Sequence, residues 1–167
     1  MNLRQLNHMP PHFLRDELQG CCGAKNWVNI MIAQHPYASE EVLHEISDKA
    51  WSRCSEVDYK EAFTHHPKIG DIESIKKKFA STSHWSSGEQ AGVDEADTEI
   101  MEDLVQMNDK YEAKFGFIFI VCATGKTASE MLEMVKERIN NEAHKEIHIA
   151  AEEQRKIMHI RINKLLS

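Results

Sequence analysis

The run His65-His66-Pro67-Lys68-Ile69-Gly70-Asp71 and the hydroxyl-rich stretch at 81–90, which closes on Glu89-Gln90, hold the side chains best suited to moving a proton. Histidine titrates near neutral pH and serves as a general acid or base. Glu89 adds a carboxylate, while Ser86, Ser87 and Gln90 add hydrogen-bonding groups around the bare backbone of Gly88. Pro67 ends any helix that reaches it and pushes the preceding residue, His66, toward extended geometry. Loops fixed in this way aim side chains into clefts. Spacing alone leaves His66 with two readings: a helix-terminal histidine bonded to the last carbonyls, or an acid/base group. Ser86-x-x-Glu89 likewise reads as a capping box at a helix start, which would also fix the direction of Glu89.

Amphipathic helices must position these groups. Tyr59, Phe63 and His66 lie at steps of four and three, so they share a face and His66 sits at the exit of an apolar stripe. Asp58-x-x-Glu61 resembles a capping box opening that short helix, and Asp71 is placed to cap another over 72–79. Ser39 with Glu40 and Glu41 reads as a cap and acidic first turn. Ala96, Ile100, Leu104, Met107 and Tyr111 mark a helix over 94–114, and Thr127-x-x-Glu130 opens another through Arg138.

The last helix, over 142–165, carries Ile147, Ala150, Gln154, Ile157, Arg161 and Leu165 on one stripe. Arginine is rarely buried without a partner, so Arg161 is either a cleft residue or a charge snorkelling to water. The run Phe115-Gly116-Phe117-Ile118-Phe119-Ile120-Val121-Cys122 favours a strand by composition but has no second strand to pair with. It is expected to be an extended connection whose backbone amides are open to a ligand. The whole reads as an all-α, single-domain bundle over 1–167, of about seven to nine helices with one extended apolar segment at 115–123.

Composition narrows the function. The 167 residues carry 41% hydrophobic and 28% charged side chains and a formal net charge of −7, which argues against nucleic acid or an anionic membrane as partner. The four cysteines form no Cys-x-x-Cys pair, no apolar signal region or membrane-length run is present, and Leu165-Leu166-Ser167 is not a peroxisomal address. A reduced cytoplasm is the expected setting. Ala123-Thr124-Gly125-Lys126-Thr127 fails the phosphate-loop pattern because Ile120 stands where its first glycine belongs. His144 and His148 are four apart but enclose Lys-Glu-Ile rather than the Glu-x-x of a metalloprotease, and read as solvent-facing. No metal site is expected.

Taken together, His66-Pro67-Lys68-Ile69-Gly70-Asp71, Trp85-Ser86-Ser87-Gly88-Glu89-Gln90-Ala91-Gly92, the stretch from Tyr111 to Lys126, and Glu153-Gln154 with Lys156-Ile157 and Ile160-Arg161 closely resemble the OHCU decarboxylase family. These enzymes act on 2-oxo-4-hydroxy-4-carboxy-5-ureidoimidazoline. The resemblance implies an all-helical homodimer that releases carbon dioxide and forms (S)-allantoin in urate degradation, with no cofactor. It implies His66 and Glu89 as catalytic residues. Substrate contacts fall to Pro67, Ser86, Ser87, Gly88, Gln90 and Arg161, and to the segment Phe119, Ile120, Val121, Cys122 and Ala123. A rival reading is a helical interaction module that kept this fold without chemistry; it would tolerate substitution at His66, Glu89 and Arg161.

Overall fold

A computed structural model describes residues 1–70, 73 and 95–167. Among the described residues there are eight helices and no strand, in keeping with the all-α expectation. The chain falls into two compact units, Met1–His66 with Ile147–Ser167 and, separately, Pro67–Glu146.

The first unit holds α1 (Leu3–Asn7), α2 (Pro11–Cys21), α3 (Lys25–Ala33), α4 (Glu40–Ser52) and α5 (Glu56–Thr64). Pro11 opens α2 at the position where a missing N–H costs nothing. Ser39 caps α4, its hydroxyl accepting from the Val42 N–H at 3.2 Å, as its sequence indicated. The start of α5 differs from expectation. Ser55, not Asp58, is the cap, and Asp58 is the third helical residue, its carboxylate accepting from the Ser55 N–H at 2.8 Å. Either pair satisfies the motif. The serine wins because it lets Asp58 reach back, and that backbone bond holds the Asp58 carboxyl below its ordinary range.

Helix α3 packs against α2, α4 and α5. Leu14, Leu18, Met31 and Leu43 are at most 1% exposed, and each contributes about 1.5–3 kcal/mol by leaving water. Aromatic N–H and O–H groups in this core all find carbonyls: Trp27 donates to Ser47 at 3.1 Å, Tyr37 to Met31 at 3.0 Å, and Trp51 to Ala151 at 3.0 Å. The last of these joins α4 to α8 (Ala143–Leu166), which lays Ala150, Ala151, Gln154, Met158 and Ile162 into the unit. His144 and His148 are exposed on α8, as their charged neighbours suggested.

In the second unit α6 (Glu95–Phe115) packs on α7 (Ala128–Arg138). The buried face of α6 is Met101, Leu104, Asn108, Tyr111 and Phe115, with Ile100 and Met107 half-buried beside it. Phe115 closes the helix instead of opening the extended segment. Gly116, at φ +79°, ends α6 by donating its N–H to the Glu112 carbonyl at 2.8 Å. The chain then runs through 117–123 without regular structure, as its lone-strand composition implied. Gly125, at φ +76°, turns it into α7. There Thr127 and Glu130 form the expected capping box: Thr127 Oγ1 accepts from the Glu130 N–H, and Glu130 Oε2 from the Thr127 N–H, at 3.1 and 2.9 Å. Lys126 donates to the Cys122 carbonyl at 3.1 Å, closing the loop in which a phosphate-loop lysine would instead point at a ligand. The expected cap at Asp71 and helix over 72–79 lie outside the described residues.

Candidate active site

Gln154 and Arg161 stand seven residues apart on α8, two turns and ~10 Å of rise along one face. The His66 imidazole bridges them. Its Nε2 lies 2.5 Å from Gln154 Oε1, and its Nδ1 lies 3.3 Å from Nη2 of Arg161. α5 delivers the ring: the helix ends at Thr64, and the His66 N–H still donates to the Phe63 carbonyl at 3.2 Å before Pro67. Guanidinium nitrogens only donate. Nδ1 is therefore the acceptor, and Nε2 carries the proton it donates to Gln154.

Arg161 reaches a second anchor, the Cys21 carbonyl at the end of α2, through Nη1 at 3.3 Å. It is half-buried, with both guanidinium Nη atoms engaged by protein partners. It also lines an open cleft of about 680 Å³ with Glu17, Cys21, His65 and Lys164. His65 has a different environment. Its ring lies over Gly23, where a Cβ would collide with it.

Gln154 is fully buried, and its Nε2 has no partner among the described residues. Burying such a group unpaired costs about 1–3 kcal/mol, which a packing role alone would not retain. Sequence reasoning placed Gln154 on the inward stripe but gave it no role. The polar residue on an apolar face was the available signal.

In the second unit the segment 119–123 is held from behind. Arg138, 6% exposed, donates through Nη1 to the Ile120 carbonyl at 2.7 Å and through Nε to Glu146 Oε1 at 2.6 Å. Tyr111 donates to the same oxygen at 2.6 Å, and Asn141 to Glu146 Oε2 at 2.9 Å. Burial first, then the neighbouring carboxylate, pushes the Tyr111 hydroxyl up from its ordinary value, so it stays a donor. The Arg138 guanidinium also lies 4.6 Å from the Phe119 ring centre. Phe119, Ile120, Val121 and Cys122 are buried and Ala123 is half-buried. Among the described residues no carbonyl accepts from the backbone N–H groups of Phe119, Ile120, Val121 or Cys122. This clamp was missed from sequence, although Arg138 follows Met131 and Val135 at steps of four and three.

Pro67 follows directly, and Lys68 then forms ion pairs with Asp109 at 2.9 Å and Glu112 at 2.6 Å on α6. Ser86, Ser87, Gly88, Glu89 and Gln90 lie outside the described residues. Among the described residues no group of three or more His, Cys, Asp or Glu is placed to hold a metal ion.

Residues 7–163 match the sequence model of a family described as OHCU decarboxylase. The chain belongs to the OHCU decarboxylase family. The match contains His66, Gln154, Arg161 and the segment 119–123. Among relatives, the uric acid degradation bifunctional protein TTL of Arabidopsis thaliana is 37% identical over 154 residues, 91% of this chain and 47% of its own length. The 2-oxo-4-hydroxy-4-carboxy-5-ureidoimidazoline decarboxylase of Xenopus laevis is 29% identical over 97 residues, 58% of this chain and 55% of its own. The chain thus spans about half the length of each. A crystal structure of an OHCU decarboxylase in the presence of (S)-allantoin superposes with a TM-score of 0.73 at 34% identity, covering 90% of this chain and 97% of that one. An (S)-allantoin synthase structure, 16% identical, shares the fold at a TM-score of 0.69 over 98% of this chain and 54% of its own.

Proposed function

We propose that this chain decarboxylates 2-oxo-4-hydroxy-4-carboxy-5-ureidoimidazoline to (S)-allantoin and carbon dioxide, as a carboxy-lyase of urate degradation. The observation that carries the reading is His66 held by both ring nitrogens between Gln154 and Arg161, in a chain of this family.

The chemistry asks little beyond positioning and proton transfer. The bond from C4 to its carboxylate breaks, and its electron pair forms C4=C5 while the ring C=N nitrogen takes up a proton. The 4-hydroxyl proton then leaves, and C5 gains a proton on one face. The ring is its own electron sink, a role many decarboxylases give to a cofactor. His66 manages the hydroxyl proton through Nδ1. Arg161 pairs with the anionic substrate, and Glu89 accepts from ring and ureido N–H groups. Ser86, Ser87, Gly88 and Gln90 anchor the ureido and carbonyl groups, and Pro67 with the backbone of 119–123 lines the ring.

A second copy of the chain as a homodimer partner belongs to the same reading. So does a reducing cytoplasmic setting, which the four unpaired, buried cysteines support. No helix among the described residues is long and apolar enough to cross a membrane.

Freshly generated substrate should give (S)-allantoin, followed by circular dichroism, faster than its spontaneous decay. A racemic product or an unchanged rate overturns the reading. His66→Ala should remove activity by roughly 10²–10⁴-fold while leaving the helical spectrum intact.

A further inference from the structure

We propose that Gln154 is a positioning residue that holds His66 as the Nε2–H tautomer, so that Nδ1 is the atom through which this histidine exchanges its proton. The proposal rests on the decarboxylase reading for its catalytic consequence, but not for the tautomer itself.

An imidazole free to turn or to shift its proton offers a substrate the wrong atom part of the time. Two neighbours prevent that here, one able only to donate and the other presenting its carbonyl oxygen. Arg161 has only donors to present, so the ring nitrogen it meets must have a lone pair. Gln154 turns its carbonyl oxygen to the other nitrogen, which must therefore carry a hydrogen. Either contact alone would leave ring flips possible, and together they leave one arrangement.

Gln154 is built to hold that arrangement. It is fully buried in the middle of α8, three residues after the Ala151 carbonyl that Trp51 engages, so the backbone carrying it is anchored to α4. Its amide presents the acceptor end to His66 and leaves the donor end without a described partner. An amide kept for packing would satisfy both ends or give way to an apolar residue.

The neutral amide also suits the position. A carboxylate would accept the same N–H, and would add a full charge two turns from Arg161. The amide orients the ring without doing so, which leaves the guanidinium charge for an incoming carboxylate. When the substrate draws on Arg161, Nδ1 is the ring atom already aimed for proton exchange.

The test is nitrogen-15 NMR of the histidine side chains in the intact protein at about pH 8, where an ordinary imidazole is neutral, with His66 assigned by His66→Gln. Wild type should show a protonated Nε2 and an unprotonated Nδ1. Gln154→Leu should show mixed tautomers and a kcat reduced roughly tenfold or more, with KM held within about twofold. Gln154→Glu, which keeps an acceptor oxygen, should restore the single Nε2–H form. A wild-type ring protonated at Nδ1 overturns the proposal, and so does a Gln154→Leu ring that keeps the wild-type tautomer. The wild-type spectrum decides even if the leucine variant does not fold. Absence of decarboxylation in wild type, with the tautomer as expected, would overturn the functional reading and leave this one standing.

Discussion

Arg161 joins two chain segments through one guanidinium: Nη2 faces His66 Nδ1 and Nη1 donates to the Cys21 carbonyl, each at 3.3 Å. Both contacts use the planar fork, so the residue is set by shape as well as charge. Arg161→Lys keeps the charge but cannot serve both partners. We expect kcat/KM to fall by roughly 10–100-fold, about 1.4–2.7 kcal/mol of transition-state stabilisation. Thermal stability should change little, since the side chain is only half-buried. A lysine variant with wild-type kinetics would mean that only the charge matters.

The Arg138–Glu146 pair makes the opposite kind of prediction, one of stability. Both side chains are almost wholly removed from water, at 7% and 0% exposed, and each of their nitrogens and oxygens has a hydrogen-bond partner. Removing one partner strands the other, so Arg138→Met or Glu146→Leu should each cost about 3–5 kcal/mol in urea unfolding. The double variant should recover a large part of that loss. Equal, additive losses in the cycle would show that the two groups do not depend on each other.

Gly23 and His65 form a steric pair. Gly23→Ala places a methyl group in the His65 ring and should destabilise by about 1–3 kcal/mol. Adding His65→Ala to that background should restore much of it, as read from the shift in the urea midpoint. The pair also separates the adjacent histidines, since His65→Ala alone is expected to leave turnover intact while His66→Ala abolishes it.

Cys22 and Cys54 predict an alkaline limit. Burial pushes both thiols from an ordinary 9.0 to about 12. Folding therefore favours the protonated form. The associated stability is present in full below about pH 9, where unfolded thiols are still protonated, and is lost as pH rises toward 12. Urea midpoints should fall across that interval. In native protein at pH 8, iodoacetamide should leave both cysteines unlabelled, while the unfolded chain reacts at all four. Rapid native labelling at Cys22 would contradict the protonated, buried thiol.

Helix existence was legible because its signals are local. Thr127 with Glu130, and Ser39 before two glutamates, declare helix starts within four residues. The start of α5 was misplaced because two overlapping motifs, Ser55 with Asp58 and Asp58 with Glu61, satisfy the same rule. Only the packing of the helix decides between them. Phe115 was assigned to the extended run because its composition matches that run, whereas Gly116, free to adopt positive φ, sets the boundary one residue later. Periodicity put Gln154 and Arg161 on one stripe of the last helix but did not show what they meet, and it gave no role to Arg138. Gln154 finds His66 across 88 residues and Arg138 finds the Ile120 carbonyl across 18, and pairings of that kind are written in three dimensions. The candidates Ser86, Ser87, Gly88, Glu89 and Gln90 lie outside the described residues, so their place in the site rests on the family resemblance.

The bond from Trp51 to the Ala151 carbonyl works as a key in a shaft. A helix held only by apolar contacts can roll a few degrees about its axis at little expense. A directional N–H to one carbonyl sets the rotational phase of α8 at that point. Gln154 and Arg161 inherit that phase because the helix between them is continuous. Trp51→Phe would preserve most of the buried area and remove this one constraint, leaving Arg155 and His159 on Asp48 and Arg161 on the Cys21 carbonyl to hold α8. The aim of the histidine thus depends in part on an indole that bonds to the backbone of α8 and to neither residue that grips the ring.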